Sequence, residues 1–236
     1  MDFKAGEIFA IDKPYRVSSF GALAHVRYVL SRALGYKVKI GHAGTLDPLA
    51  TGVLILCTGK ATKRIEEFQG QTKEYVATLQ LGATTASYDM EHEVSETFAM
   101  AHITRALIDE KLAQFVGDIL QTPPSYSAVK VKGERAYDLR RSGESVQLKP
   151  KQVHIEQIEV LHFDAERMRL QLRVVCGKGT YIRALARDLG RALQSGAYLT
   201  ELRRTRVGAF TVDTCLDYEN IQAWLDEKKN LKKRDI

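Results

Sequence analysis

The sequence predicts an α/β (α+β) fold on two observations. Strand-like and helix-like apolar periodicities alternate along the chain. Hydrophobic residues make up 44% of its 236 positions, enough for an ordinary packed core. The length suits one large domain or two small ones. A formal net charge of +6 and a pI of about 9.1 favour a polyanionic partner. Cys57, Cys176 and Cys215 lack CxxC spacing, which gives no metal signal and fits a reducing cytoplasm. The first residues contain no signal-peptide apolar core, and no run approaches the length of a membrane span.

Residues 7–12 read as a first strand, ended by Lys13-Pro14. Ser18 or Ser19 can cap a helix whose Leu23, Val26, Leu30 and Ala33/Leu34 share one face, with Gly35 just beyond its end. Residues 41–54 follow, GHAGTLDPLATGVL. Pro48 pushes Asp47 away from helix and toward turn or extended geometry. Gly41, Gly44 and Gly52 permit positive φ or close backbone approach. Residues 52–57 read as a buried strand. Asp47 is therefore either a carboxylate presented by a rigid strand or a turn residue capping backbone N–H groups.

The TGKAT that follows, residues 58–62, fails as a phosphate loop. Its glycine spacing from Gly52 is too long, and Ala61 replaces the magnesium-binding hydroxyl. A short helix over residues 61–68 is the simpler reading. Residues 75–81 alternate, with Tyr75, Ala77, Leu79 and Leu81 on one face. Residues 84–118 hold seven Asp/Glu against two Lys/Arg, and a helix carrying Leu107, Ile108, Leu112 and Phe115. Such a face would repel RNA and is expected away from it.

Residues 125–151 reverse the balance, with seven Lys/Arg against three Asp/Glu and with Tyr126 and Tyr137 interleaved. They form either a solvated excursion or a basic arm for a phosphate backbone. Strands are expected over 153–163 and 168–176. Thr180 can cap a helix with Ile182, Leu185, Ala186 and Leu189 on its apolar face. Arg183 falls in the first turn, where the helix dipole disfavours a cation, which implies an anionic partner. Residues 201–206 are a second basic cluster, and the tail from Lys228 is basic and expected to fray.

The 41–54 stretch resembles the signature of the tRNA pseudouridine synthase B family. Lys13-Pro14, Lys73-Glu74-Tyr75, TPPSYSAVK at 122–130, GKGTYIR at 177–183 and Leu202-Arg203-Arg204 resemble further family blocks in the family's order. The resemblance implies a pseudouridine synthase fold: a central mixed, mostly antiparallel sheet flanked by helices. It also implies a thumb-like RNA-binding arm over residues 125–151. The implied domain layout is a catalytic domain over 1–212 and a short extension over 213–236. Family members usually continue into a C-terminal RNA-binding domain. The two dozen residues after 212 fall below the ~40 that an independent domain needs. Substrate grip is then expected from Lys130, Lys132 and Arg135 on the arm and from Arg203 and Arg204.

The implied activity converts uridine to pseudouridine at position 55, in the T-loop of transfer RNA. It uses no metal or other cofactor, flips the base out, and takes place in the cytoplasm on a monomer, with no membrane partner. Asp47 is the candidate nucleophile. Attack on the base, attack on the ribose, and assisted elimination to a glycal all remain open. Arg183 is its candidate ion-pair partner, since a cation favours a charged carboxylate in a closed site. Tyr75 is a candidate for stacking on the base or for proton transfer, or else packs across strands. Tyr181 and Leu202 match pocket-lining positions. His42 matches a residue that meets the target uridine, and base extrusion costs only a few kcal/mol in a strained loop. Lys13 either supports the loop or lies on the surface. The competing functions are a guide-RNA-dependent synthase subunit, a non-catalytic RNA-binding protein and, last, a glycoside hydrolase with paired carboxylates.

Overall fold

The computed structural model describes residues 1–127, 130, 131, 134, 135 and 148–234. For residues 130, 131, 134, 135 and 228–234 it describes the backbone alone. In chain order the elements begin with β1 (Ile8–Lys13), α1 (Ser19–Leu34), β2 (Ile40–His42), β3 (Ala50–Thr58), a 3-10 segment (Gly59–Arg64) and α2 (Ile65–Gly70). There follow β4 (Lys73–Leu81), β5 (Ala83–Thr85), β6 (Val94–Thr97), α3 (Arg105–Ala113), β7 (Gly117–Gln121), β8 (Lys130–Val131) and β9 (Glu134–Arg135). The last are β10 (Lys151–Asp164), β11 (Arg169–Cys176), α4 (Ile182–Ala192), β12 (Ala197–Val207), β13 (Phe210–Thr211), β14 (Leu216–Asp217) and α5 (Ile221–Arg234).

The chain divides into two units, Met1–Glu74 with Arg203–Ile236, and Tyr75–Leu202. Both are built on sheet. The first has the order β14-β1-β3-β12, with β2 on β3 and β13 on β12; the second has β12-β4-β11-β10-β7. β1 pairs with β14 in parallel, while β1–β3, β2–β3, β12–β13, β10–β11 and β7–β10 are antiparallel. The pairing is thus mixed and mostly antiparallel, as the family resemblance implies.

In the first unit β3 is buried on both faces, which accounts for its unbroken apolar run. Leu54 and Leu56 join Phe9, Ile11 and the α1 residues Leu23, Val26 and Leu30 in one cluster. Val53, Ile55 and Cys57 point the other way, into a cluster with Phe68 and Val207. Ser18 caps α1 by accepting a hydrogen bond from the Gly21 N–H, and Gly35 closes it at φ 73°. Residues 61–68 are not one helix: a 3-10 turn precedes α2. α5 lays Ile221 and Leu225 on the α1 cluster, with Trp224 against Phe9 and Phe3 at ring separations of 5.5 and 6.4 Å.

In the second unit β4 buries Tyr75, Ala77, Leu79 and Leu81 on one face, and β11 buries Leu170, Leu172 and Val174. α4 lies so close to β12 that a Cβ on Gly190 would stand 2.5 Å from the Ala197 nitrogen. The expected cap of α4 is corrected. Tyr181 occupies the N-cap without a side-chain bond, while the Thr180 hydroxyl donates to the Gly177 carbonyl one turn earlier. β12 was not expected; its sequence reads as a basic cluster.

Candidate active site

The Asp47 loop is the excursion between β2 and β3, which pair from Ile40↔Thr58 to His42↔Leu56. The Asp47 carbonyl accepts from the Ala50 N–H at 3.0 Å and closes a turn over Pro48. Three side chains hold this loop through its backbone. Ser19, 2% exposed at the start of α1, accepts from the Leu46 N–H at 2.8 Å and donates to the Leu46 carbonyl at 2.9 Å. Lys13, fully buried at the end of β1, donates to the carbonyls of Pro14, Val17 and Pro48 at 2.8, 2.6 and 3.3 Å. Arg204, 1% exposed on β12, donates to the carbonyls of Val53 at 2.8 Å and Gly44 at 3.1 Å. Gly44 and Gly52 adopt φ of 102° and 104°, and a Cβ on Gly52 would stand 2.1 Å from the Arg204 carbonyl oxygen.

Burial dominates the electrostatics of the groups around the loop. Burial pushes the Lys13 ammonium down to about 8; Asp47 pulls it up, and Arg204 adds to the fall. Burial, and then the Arg204 guanidinium, hold His42 below its ordinary value, so the imidazole is neutral at neutral pH. The His42 Nδ1 is buried without a hydrogen-bond partner among the described residues. Burial raises the thiols of Cys57 to about 11 and Cys215 to about 12, which leaves them un-ionised.

Tyr75, Tyr181, Arg183 and Leu202 belong to the second unit. Arg183 is 5% exposed at the start of α4. Its guanidinium lies 3.7 Å from the Asp89 carboxylate and donates to the carbonyls of Ser87 at 3.2 Å and Tyr126 at 2.9 Å. The anionic partner that its helix position implies is thus present within its own unit. Asp89 is itself fixed, accepting from the Ser87 hydroxyl at 2.5 Å and the Glu91 N–H at 3.0 Å. No motif marks Asp89, which comes from the acidic stretch over residues 84–118. Tyr181 sits at the α4 N-cap, with its N–H donating to Gln121 Oε1 at 2.8 Å. Tyr75 is 8% exposed in β4, and Leu202 is half-buried in β12.

The expected RNA-gripping residues fare differently. Arg204 is a correction: buried and bonded to two carbonyls, it props the Asp47 loop and has no surface to offer. Arg203 is held by the Asp12 carboxylate at 2.6 Å and by the Thr51 hydroxyl at 3.1 Å. That pairing occupies its guanidinium with protein. Lys132 lies outside the described residues, and Lys130 and Arg135 are described only as backbone partners in the β8–β9 ladder.

Comparison with known proteins is specific. A family model described as TruB family pseudouridylate synthase (N terminal domain) matches residues 31–182. A second, described as tRNA pseudouridylate synthase B C-terminal domain, matches residues 183–234. The chain is 59% identical over 232 residues to tRNA pseudouridine synthase B of Bacteroides thetaiotaomicron, covering 97% of each protein. It is 48% identical to the protein of that name from Flavobacterium johnsoniae, covering 94% of it. Among solved structures, a Cbf5–Nop10–Gar1 complex contains a chain matching with a TM-score of 0.72 at 29% identity, over 97% of this chain and 57% of that one.

Proposed function

The chain belongs to the TruB family of pseudouridylate synthases, and from that premise we propose that it isomerises the uridine at position 55 of the tRNA T-loop, with Asp47 as the reacting carboxylate. The chain is an isomerase that forms pseudouridine in transfer RNA; the address in the T-loop and the aspartate are the proposal. The observation that carries it is the loop itself. One half-buried carboxylate stands on a turn whose backbone is pinned by Ser19, Lys13 and Arg204. A site of that kind loses little freedom when the substrate arrives.

The reaction breaks the bond from ribose C1′ to N1 of uracil, turns the base, and joins C1′ to C5. The C5 proton is lost and N1 gains one, so no electrons leave or enter. Asp47 assists cleavage, as nucleophile at the base or the ribose or as the group that removes a ribose proton. We assign His42, as a neutral imidazole, to the displaced nucleotide's surroundings in the RNA. We assign Tyr75 to the extruded base as stacking partner or proton carrier, Tyr181 and Leu202 to its apolar walls, and Arg183 to the carboxylate chemistry. The arm over 125–151 grips the T-arm stem-loop. The protein works as a monomer in the cytoplasm, where its substrate is.

The test incubates the protein with an unmodified T-arm stem-loop and maps pseudouridine. Wild type is expected to convert position 55. Asp47→Asn is expected to bind the RNA with unchanged affinity and to show no turnover; an active Asp47→Asn protein sinks the assignment. The likeness to chains of a Cbf5–Nop10–Gar1 complex and of an H/ACA RNP bound to a substrate RNA favours one second reading, a synthase subunit that works inside a ribonucleoprotein. Turnover of the isolated stem-loop with no other RNA or protein present excludes it.

A further inference from the structure

We propose that a depression formed by Arg27, Lys37 and Lys39 seats the sugar-phosphate backbone of the RNA substrate, away from the reacting nucleotide. The proposal rests on the tRNA reading above. A hollow of about 270 Å³ is lined by Arg27, Lys37, Val38, Lys39 and Ile40, with no acidic side chain in its wall. Arg27, on α1, is half-buried, while Lys37 and Lys39 are exposed. Among the described residues none of the three forms an ion pair, although the protein pairs Arg64, Arg105, Arg169, Arg173 and Arg203. Like charges gathered without a counter-charge raise the energy of the free protein. A polyanion laid across them relieves that cost and releases its own counterions.

The wider sequence points the same way. From residue 13 to residue 65 the chain carries nine Lys/Arg, and its only acidic residue is Asp47. The remainder is therefore slightly acidic, so the net +6 is concentrated on this stretch. The Lys39 carbonyl accepts from the Gly59 N–H at 2.9 Å, which brings exposed Lys60 to the same edge of β2. α1 also leaves Phe20 and Tyr28 exposed, at 67% and 61%, and aromatic faces beside cations suit unstacked bases and ribose. β2 leads from this hollow to His42. Its three residues span about 10 Å, roughly three nucleotide rises along a stacked strand. A phosphate in the hollow would thus belong to the strand a few nucleotides from the flipped uridine.

The experiment compares wild type with the triple variant Arg27→Gln, Lys37→Gln, Lys39→Gln. It measures binding to unmodified tRNA between 50 and 200 mM salt, and pseudouridine formation at saturating RNA. The variant is expected to bind about tenfold more weakly at 100 mM salt, with a slope of log K against log salt shallower by about 2. Its kcat should stay within twofold of wild type. The charge-preserving variant Arg27→Lys, Lys37→Arg, Lys39→Arg should keep wild-type affinity and slope. Unchanged affinity and slope in the glutamine variant overturn the seat, as does equal weakening by the charge-preserving variant. Wild type that binds tRNA with the full slope but forms no pseudouridine would sink the reaction reading and leave this one standing.

Discussion

Lys13 is a fully buried cation in the loop's support, and its protonation is measurable. Its folded pKa of about 8 lies below the ordinary 10.5. Between those values the unfolded chain binds more protons, so this group makes stability rise with pH through that window. Below pH 8 the buried ammonium costs the fold roughly 3 kcal/mol, from 1.36 kcal/mol per unit. Urea midpoints taken from pH 7 to 10.5 should therefore climb more for wild type than for Lys13→Met; parallel curves would refute the assignment. At neutral pH the protein tolerates that cost and keeps a cation beside Asp47. Arg204 acts at the same scale. Arg204→Gln leaves the Gly44 and Val53 carbonyls without their donor and is expected to lose kcat at least tenfold with little change in tRNA affinity. Equal loss in both would mean general unfolding instead, which a melting curve checks.

Single elements show where the sequence was legible. β4 and β11 announce themselves by alternation: Tyr75, Ala77, Leu79, Leu81, Leu170, Leu172 and Val174 are all buried as it predicts, while Thr78 and Val175 are buried on the opposite faces. α1 is legible at both ends, because Ser18 and Gly35 do local work that local sequence reports. β12 is hidden for a physical reason. Its Arg204 takes a core position by donating to backbone carbonyls, so a charge appears where a strand pattern expects an apolar residue. β7 is an end strand with Leu120 76% exposed, and it breaks the inside-outside rule that would reveal it. The Asp47 signature was readable as a family block; the partnership of Asp89 with Arg183 was not, because nothing in a single chain marks a contact made across 94 positions of separation, from 89 to 183. Gly52 tests the element directly. Gly52→Ala adds a Cβ at φ 104° against the Arg204 backbone and is expected to cost about 3 kcal/mol or more, read as a lowered melting temperature. An unshifted melting curve would mean β3 and β12 can part without loss.

For the whole molecule, the C-terminal helix decides whether the first unit can stand. Ile221 and Leu225 are 1% and 2% exposed on the α1 cluster, so α5 completes a core begun by the N-terminal strand. A chain ended after residue 212 is expected to lose cooperative unfolding in calorimetry, and Trp224→Ala to cost about 3 kcal/mol. A sharp, unshifted transition in the shortened protein would show that α5 is dispensable. The match of a C-terminal family model over 183–234 fits a tail that belongs to the fold. Trp224 is also the only indole in the sequence. Its fluorescence therefore reports one place alone, the seam where the two ends of the polypeptide meet. A shift in its emission during denaturation dates the opening of that seam, with no label added and no signal from the Tyr75–Leu202 unit to subtract.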